Sequence, residues 1–463
     1  MSTLPTVNLN ALFSATGSTS SGIDVASTVS QILAADRAPE QQWESQQQTI
    51  VQQSTALNQL NSSASSLVDS LSALQDPLGA LAAQDTTSTQ PSLVTATASG
   101  TAATGSHVVV VSNLASTASW YSGAVADGNT AFAAGGYELT VGAGSSQTTT
   151  MISIGNGVNT PNQLATYING LKLGVTANVV TDSTGARVAL VSNSSGSASD
   201  FSLSPDSGSS PSFFTRAATG TDASLTVDGI PITSATNTVT GAINGVTLFL
   251  NGQAPGTEVG VSVGPDVSQA SQAINSFVSA YNSLVSQVNG QFAYDSTNQT
   301  SGPLASDSTV RMFQSELLAA PSYSGGGSVI ATLGNLGITM NDDGTLTVDS
   351  STLSSAIQNN PGAVQAFFQG ASSDGFAANL TSALNTFADP SDGAFTVDLK
   401  SLSDENTDLQ NQIDDLETYL SGVQTTLTNE YNQADIALQE LPMQEQQINA
   451  ILGNNSNSNG SNS

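Results

Sequence analysis

The chain has 463 residues, and its six Lys and Arg residues stand against 36 Asp and Glu residues, which gives a formal charge of −30. Such a polyanion repels nucleic-acid phosphates and anionic lipid surfaces, so the composition argues against both as partners. The chain contains no cysteine, which excludes disulfide bonds and thiolate metal ligands.

Two further absences concern membranes and export. No run of about 18 apolar residues occurs, so we expect no membrane insertion. The first positive charge is Arg37, and the N-terminus lacks the basic region and apolar segment of a cleavable signal peptide. A cytosolic protein and a protein exported without a cleaved signal peptide both fit this pattern.

The first long helix is predicted between Trp43 and the Asp76-Pro77 dipeptide, where proline ends it. Its apolar residues alternate steps of three and four, as a coiled-coil seam requires. The seam consists of Leu57, Leu60, Ala64, Leu67, Leu71 and Leu74. An ordinary helix of a bundle would show the same stripe, so this seam alone does not decide between the two.

The middle of the chain, about residues 93 to 265, is rich in Val, Thr, Ser and Gly and has the alternation of short strands. One helix interrupts these strands: Thr160 is its predicted cap and Pro161 its first residue. The Asp228-Gly229 dipeptide predicts a tight hairpin turn. This region is therefore expected to form β-rich domains.

Helical periodicity returns at Val267, and a shorter helix is predicted over about 305–320. A hairpin around Asp343-Gly344 follows, and then helices at about 351–358, 361–369 and 375–388.

The C-terminal region repeats the seam of the first helix. Its apolar residues are Leu409, Ile413, Leu416, Leu420, Val423 and Leu427, continued by Tyr431, Ala434, Leu438 and Leu441. Pro442 predicts a kink or interruption. Two long seams at opposite ends of the chain indicate a stalk formed by both termini, and an exposed apolar seam can dock onto a partner helix. We therefore predict both seams as surfaces for oligomer or filament docking, with roughly the first 45 and last 30 residues mobile in the free protein.

Catalytic patterns are missing from the sequence. The only histidine, His107, lies in a run of valines, which favours a strand residue without a catalytic role. A Ser–His–Asp site could rest on that residue alone, and neither a G-x-S-x-G segment nor a Gly-Lys dipeptide occurs. We expect no enzyme activity, no cofactor and no metal.

A specific pattern lies between residues 222 and 288. A strand with an Asp-Gly turn precedes an N-x-V-x-x-x-I-x-G-V-T-L segment, a V-x-V strand, an aspartate and a helix with F-V-x-x-Y-N. These are Asp228-Gly229; Asn237, Val239, Ile243 and Gly245 to Leu248; Val261 and Val263; Asp266; and Phe277, Val278, Tyr281 and Asn282. In order and spacing this segment resembles the flagellar filament-capping family, also called hook-associated protein 2.

Three further segments support the resemblance. The first is Gly22-Ile23-Asp24-Val25, followed by Asp36-Arg37-Ala38-Pro39. The second is the hairpin at 336–349 with its following helix, and the third is residues 105–196, which resemble a β-rich insertion of flagellar axial proteins. The few cationic residues depart from relatives, so any contact that depends on positive charge is not carried over.

The resemblance implies a multidomain α+β fold, in which a coiled-coil or helical-bundle stalk formed by both termini carries inserted β-rich head domains. The expected divisions are terminal segments 1–45 with 431–463, a helical leg 46–85 with 266–430, a β-rich head 86–98 with 218–265, and an outer β-rich head 99–217. The implied role is a structural cap at the distal end of the flagellar filament, outside the cell. The implied partners are flagellin, further copies of the chain and a type III export chaperone.

The sequence is also compatible with two other functions. A surface adhesin with a β-rich head fits the composition of the middle region. Another flagellar axial protein, a flagellin or a junction protein, would also have helical termini, although the Asn-rich heptads and R-I-N-x-A segment of flagellins are not found.

Overall fold

A computed structural model describes residues 24–456, except 145–146, 211–212, 298, 326–328 and 373. The chain divides into two compact units. The helical unit comprises Met1–Ala64, Gln287–Gln314 and Leu384–Ser463, and the β-bearing unit comprises Ser65–Ser286 and Ser315–Ala383. Each unit combines segments that lie far apart in the sequence.

Apart from the first helix, which the sequence did not predict, the described α-helices overlap the regions in which helical periodicity predicts them. They are α1 Val25–Asp36, α2 Ala38–Gln75, α3 Pro161–Leu171, α4 Val267–Phe292, α5 Ser308–Ala319, α6 Ser350–Asn359, α7 Pro361–Gln369, α8 Phe376–Ala388 and α9 Ala394–Ser456. Short 3₁₀ turns lie at Ser197–Ser199, Ala320–Ser322 and Leu333–Leu336. The Thr160 side chain caps α3 as predicted, by accepting a hydrogen bond from the Gln163 N–H.

The predicted interruption at Pro442 is wrong, because α9 continues past this residue to Ser456. Proline removes one main-chain hydrogen bond and leaves the carbonyl four residues earlier without its usual donor. That carbonyl belongs to Leu438, whose residue is 44% exposed. Water can reach this part of the helix, so the missing bond does not force α9 to end.

Most strands of the β-bearing unit form two β domains. Those of the first are β1 Gln84–Ser88, β2 Val94–Ala98, β3 Gly105–Asn113, β11 Ala223–Val227, β12 Ile230–Ser234, β13 Thr238–Ile243, β14 Val246–Leu250 and β15 Val259–Pro265. They pair in the orders β1-β15-β3-β11-β12 and β13-β14-β2. Side chains from both sheets form one core, with Val109, Leu225, Leu248 and Val261 among its most buried members.

The second β domain is an insertion between β3 and β11. Its strands are β4 Ser119–Ser122, β5 Gly135–Val141, β6 Thr148–Ile154, β7 Val175–Asp182, β8 Gly185–Ser192, β9 Phe201–Pro205 and β10 Phe214–Ala218. They form the sheets β10-β4-β8-β7 and β6-β5-β9. Together with α3 they enclose a core that includes Leu139, Ile152, Leu164 and Leu190.

The division expected at residue 99 differs from the observed pairing. The strand β3 pairs with β15 and β11 of the first β domain, so the insertion begins after β3. Its two ends meet where Ser116 pairs with Thr221. A run of valines predicts a strand but not its neighbours, and only pairing across more than a hundred residues places β3 in the first domain.

Short strands β16 Tyr294–Asp295, β17 Thr300–Ser301, β18 Ile338–Met340 and β19 Leu346–Val348 complete the fold. The predicted hairpin at 336–349 is confirmed by the pairing of β18 with β19. The Asn282 side chain of α4 bonds both main-chain groups of Leu346, at 2.8 and 2.6 Å. This bidentate contact fixes the hairpin against α4.

The hairpin leads directly into α6, whose cap is Asp349. Its carboxylate accepts hydrogen bonds from the Ser351 N–H at 2.9 Å and the Thr352 N–H at 3.3 Å. The Ser351 and Thr352 hydroxyls bond the same carboxylate, and these contacts lower the pKa of Asp349 from 3.8 to about 2. The ionised form is therefore the one that stabilises the start of α6.

A folded-state pKa below the unfolded value adds stability above the unfolded pKa and loses it as the pH falls through the folded one. We expect this loss for Asp349 between about pH 4 and pH 2. The Asp349→Asn variant keeps a capping oxygen but cannot titrate. Urea unfolding of both proteins at several pH values should show a smaller fall in stability for the variant over this window. Equal pH dependence of the two proteins would contradict the role of Asp349.

Candidate functional site

The predicted docking seam of α2 lies inside the protein. Leu57, Leu60, Leu67, Leu71 and Leu74 are at most 1% exposed. Their burial within one chain leaves none of them free to bind a partner, which corrects the prediction for these five residues. The heptad spacing marks an intramolecular packing face, the alternative left open by the sequence.

The hydrogen bonds along α2 show which segments cover it. In the helical unit the Gln47 amide bonds the Asn406 carbonyl of α9 at 3.3 Å. In the β-bearing unit the Gln75 amide bonds the Thr381 hydroxyl of α8 at 3.0 Å. Helices from the second half of the same chain therefore contact α2 on either side of the seam.

The seam of α9 is buried over its first part. Leu409 and Ile413 are 7% and 6% exposed, and Leu420 is 1% exposed. The short helix α1 covers the seam around Leu420, since Val29 and Leu33 form a cluster with that residue. Four further α9 residues pack against that cluster and are partly buried: Leu416, Val423, Leu427 and Tyr431.

The start of α1 determines how far this cover extends. The Asp24 carboxylate accepts a hydrogen bond from the Ser27 N–H at 3.1 Å and caps the helix. Val25 is the first residue of α1 and packs on the same cluster. Within the described residues, the packing of α1 on α9 reaches Tyr431 and no further along α9.

Beyond Tyr431 the apolar seam of α9 is exposed. Leu438 is 44% exposed, and Leu441 and Ile448 are each 55% exposed. We call Leu438, Leu441 and Ile448 the exposed row. Leu438 and Leu441 belong to the predicted seam, whereas Ile448 was missed, although it follows Leu441 by the same seven-residue step.

The exposed row lies on a helix without positive charge in this region. No Lys or Arg follows Lys400 in the sequence, and acidic residues Asp435, Glu440 and Glu445 lie along the row. Other apolar side chains of the same segment are also exposed: Ile436, Met443 and Ile451. An apolar row of this kind on an amphipathic helix is suited to packing against another apolar helix.

His107, the single histidine, is held by a local contact. Its Nδ1 lies 2.8 Å from the Asp228 carboxylate, which also accepts a hydrogen bond from the Val108 N–H at 2.9 Å. The hydrogen bond with His107 lowers the pKa of Asp228 from its usual value. Asp228 and Gly229 have φ values of 51° and 80°, as the predicted tight turn requires. The contact between His107 and Asp228 therefore holds this turn against β3.

No group of three or more His, Cys, Asp or Glu residues in the part of the chain that the structure describes could hold a metal ion. None of the described helices is long and apolar enough to cross a membrane.

The contrast between buried and exposed seam residues can be measured directly. Leu67→Ala removes a fully buried side chain, and we expect it to lower the free energy of unfolding by about 2–5 kcal/mol. Leu438→Ala changes a residue that is nearly half exposed, and its expected effect is within about 0.5 kcal/mol. Urea unfolding followed by circular dichroism would compare the two. Equal destabilisation would contradict the division of the seams into a buried and an exposed part.

Comparisons with known proteins place the chain among flagellar proteins. A family model described as flagellar hook-associated protein 2 C-terminus matches residues 220–442. A second, described as flagellar hook-associated protein 2 N-terminus, matches residues 21–118. The two matched segments contain α1, α2, the first β domain and most of α9.

Individual relatives agree with the family models. The chain is 27% identical over 429 residues to the B-type flagellar hook-associated protein 2 of Pseudomonas aeruginosa, covering 85% of this chain and 88% of the relative. It is 26% identical to flagellar hook-associated protein 2 of Escherichia coli, covering 79% and 83%. The crystal structure of the D1-D2-D3 domains of the flagellar cap protein FliD from Escherichia coli superposes with a TM-score of 0.56 at 26% identity. The superposed region covers 75% of this chain and 99% of the Escherichia coli FliD chain.

Proposed function

The chain belongs to the flagellar hook-associated protein 2 family, and on that premise we propose that it forms the cap at the distal end of a bacterial flagellar filament. The cap lies outside the cell, promotes polymerisation of exported flagellin and prevents its loss. Its role is structural, and the reaction it assists is assembly rather than covalent chemistry.

The observation that carries this proposal is the exposed row at the end of α9. Upstream, the same seam is covered by α1, and the cover stops at Tyr431. A row of apolar side chains left in water is unfavourable unless a partner buries it. The helices of other axial subunits are such partners, since apolar helix faces pack against one another.

The partners follow from this arrangement. Flagellin subunits and further copies of the chain are the proposed occupants of the exposed row in the assembled filament. Before assembly the same row needs cover, and we propose a type III export chaperone for that task. The chain has few cations, so acidic side chains of a partner contribute little attraction, and apolar packing is the proposed basis of these contacts.

The rival functions receive less support. A flagellin or junction protein would be expected to match other family models at its termini, whereas here both segments match the capping family. An adhesin would use its β domains to bind a host surface, and no feature of the described residues favours that role over assembly.

Deletion of the gene tests the proposed role. Without the cap, exported flagellin cannot be retained at the tip, so we expect monomeric flagellin in the medium and short or absent filaments. Immunoblots of cells, filaments and medium, together with electron microscopy, would measure this, and complementation should restore filaments. Filaments of normal length in the deletion strain would rule out a cap function and would favour the adhesin function.

The exposed row can be tested by complementation with a double variant. Leu438→Glu with Leu441→Glu adds charge to the row without touching the buried core, so we expect stable protein that fails to restore filaments. The matched control is Gln433→Glu with Gln446→Glu, which adds the same charge at exposed polar positions of α9. The control should restore filaments. If both doubles complement equally, the exposed row does not dock the cap.

A further inference from the structure

The two β domains of the β-bearing unit are joined by two crossing segments. The outgoing segment runs from Ala115, which is buried in the core of the first domain, to Ala118, which is buried in the core of the second. The returning segment runs from Phe214 in the second core to Ala223 in the first. Two segments side by side form a ribbon that can bend and twist, so relative motion of two such domains is the usual expectation.

The two crossing segments are tied to each other where they pass between the domains. Ser116 and Thr221 exchange main-chain hydrogen bonds at 2.9 and 3.2 Å, and the Ser116 hydroxyl donates to the Thr219 carbonyl at 2.9 Å. The Asn113 amide at the end of β3 donates to the Asp222 carbonyl at 2.6 Å. These contacts hold the ribbon together, but a ribbon held only along its own length still bends.

A third segment of the second β domain reaches the first domain at a different place. The Ser195 hydroxyl donates to the Ala235 carbonyl, in the connection between β12 and β13, at 2.7 Å. The Ser197 N–H and hydroxyl donate to the Asp222 carboxylate at 2.7 and 2.8 Å. We call residues 195–197 the bridging segment.

Gly196, at the centre of the bridging segment, is buried between main-chain groups. Its N–H donates to the Ser116 carbonyl at 3.1 Å, and its φ of 97° is one that residues with a side chain rarely adopt. A Cβ at this position would lie 2.9 Å from both the Cβ and the carbonyl oxygen of Ala235, and a Cβ at the buried Gly220 would lie 2.8 Å from the Gly196 carbonyl oxygen. The backbones at the joint are therefore in direct contact, which leaves little room for the domains to tilt towards the bridging segment.

The points on the first β domain that hold the bridging segment are themselves fixed. The Asn237 side chain bonds both main-chain groups of Ala115, at 2.7 and 3.1 Å, and the Asn237 carbonyl accepts a hydrogen bond from the Leu250 N–H at 2.8 Å. Asp222 directly precedes Ala223, the fully buried first residue of β11. The bridging segment is thus attached to parts of the first domain that its core holds in place.

We propose that the bridging segment locks the joint, so that the two β domains move as one rigid body. Bending of the ribbon towards the bridging segment is blocked by the contact of Gly196 with Ala235. Bending away from it breaks the hydrogen bond from Ser195 to Ala235 and those from Ser197 to Asp222. A partner that binds one β domain therefore meets the other at a set orientation. This lock goes beyond the cap function and does not depend on it.

Distances between spin labels in the full chain test the lock, because the sequence contains no cysteine and labels can be placed at chosen sites. Thr87→Cys on β1 with Val180→Cys on β7 places one label on each domain, both at exposed positions; this is the interdomain pair. Met151→Cys with Val180→Cys places both labels on the second domain and is the intradomain pair, which measures the width that the labels themselves contribute. Double electron–electron resonance should give equally narrow distance distributions for the two pairs, as expected of one rigid body.

Two variants release the lock in different ways. Gly196→Val forces a side chain against Ala235, whereas Ser195→Ala combined with Asp222→Ala removes side-chain hydrogen bonds and leaves the backbone unchanged. Each variant should broaden the distance distribution of the interdomain pair. The distribution of the intradomain pair should stay as it was, which also shows that the second β domain is folded.

Asp206→Ala is the matched control. The Asp206 carboxylate also accepts hydrogen bonds from a serine hydroxyl and a main-chain N–H, those of Ser209 and Gly208, but all three residues belong to the second β domain. The interdomain distribution should stay narrow in this variant. The proposal is overturned if the interdomain pair gives a broader distribution than the intradomain pair before the lock is altered, or if both release variants leave the interdomain distribution narrow.

Discussion

The packing of α1 on α9 is the interaction on which the helical unit depends. A helix of 63 residues with one apolar row gains most of its stability by burying that row. Val29, Leu33 and Leu420 supply this burial on the part of the α9 seam between Leu416 and Tyr431. The proposed docking surface begins where this cover ends, so one part of the α9 seam stabilises the fold and the next part is the one proposed to bind a partner.

In the β-bearing unit, one β domain is inserted between two paired strands of the other. The strands β3 and β11 enclose more than a hundred residues, yet they pair directly with one another. Where the insertion meets the first β domain, the Asp222 carboxylate accepts hydrogen bonds from the N–H and the hydroxyl of Ser197, at 2.7 and 2.8 Å. Each β domain has its own core, so the insertion can fold around its own side chains while the parent domain closes around β3.

The charge of the chain determines what kinds of contact it can make. Among the six cationic residues, Arg37 pairs with Glu40 at 2.8 Å, Arg216 pairs with Asp200, and Arg311 lies over the Phe292 ring. Local partners thus engage these cations already, and little positive charge remains for a partner protein. The proposed association surface, the exposed row, fits this condition because it consists of apolar side chains.

The sequence by itself determined the helices other than α1, the Asp228-Gly229 turn, the hairpin at 336–349 and the family, because each depends on residues close together in the chain. It also located the seams, since a heptad step is a local pattern. Only the tertiary structure decided which seam residues are available: Leu67 and Leu438 both lie on heptad seams, but Leu67 is fully buried whereas Leu438 is exposed. The same limit applies to β3 and β6. A strand's composition predicts that it is a strand, whereas its neighbours, and whether one edge stays unpaired, depend on contacts between residues remote in sequence.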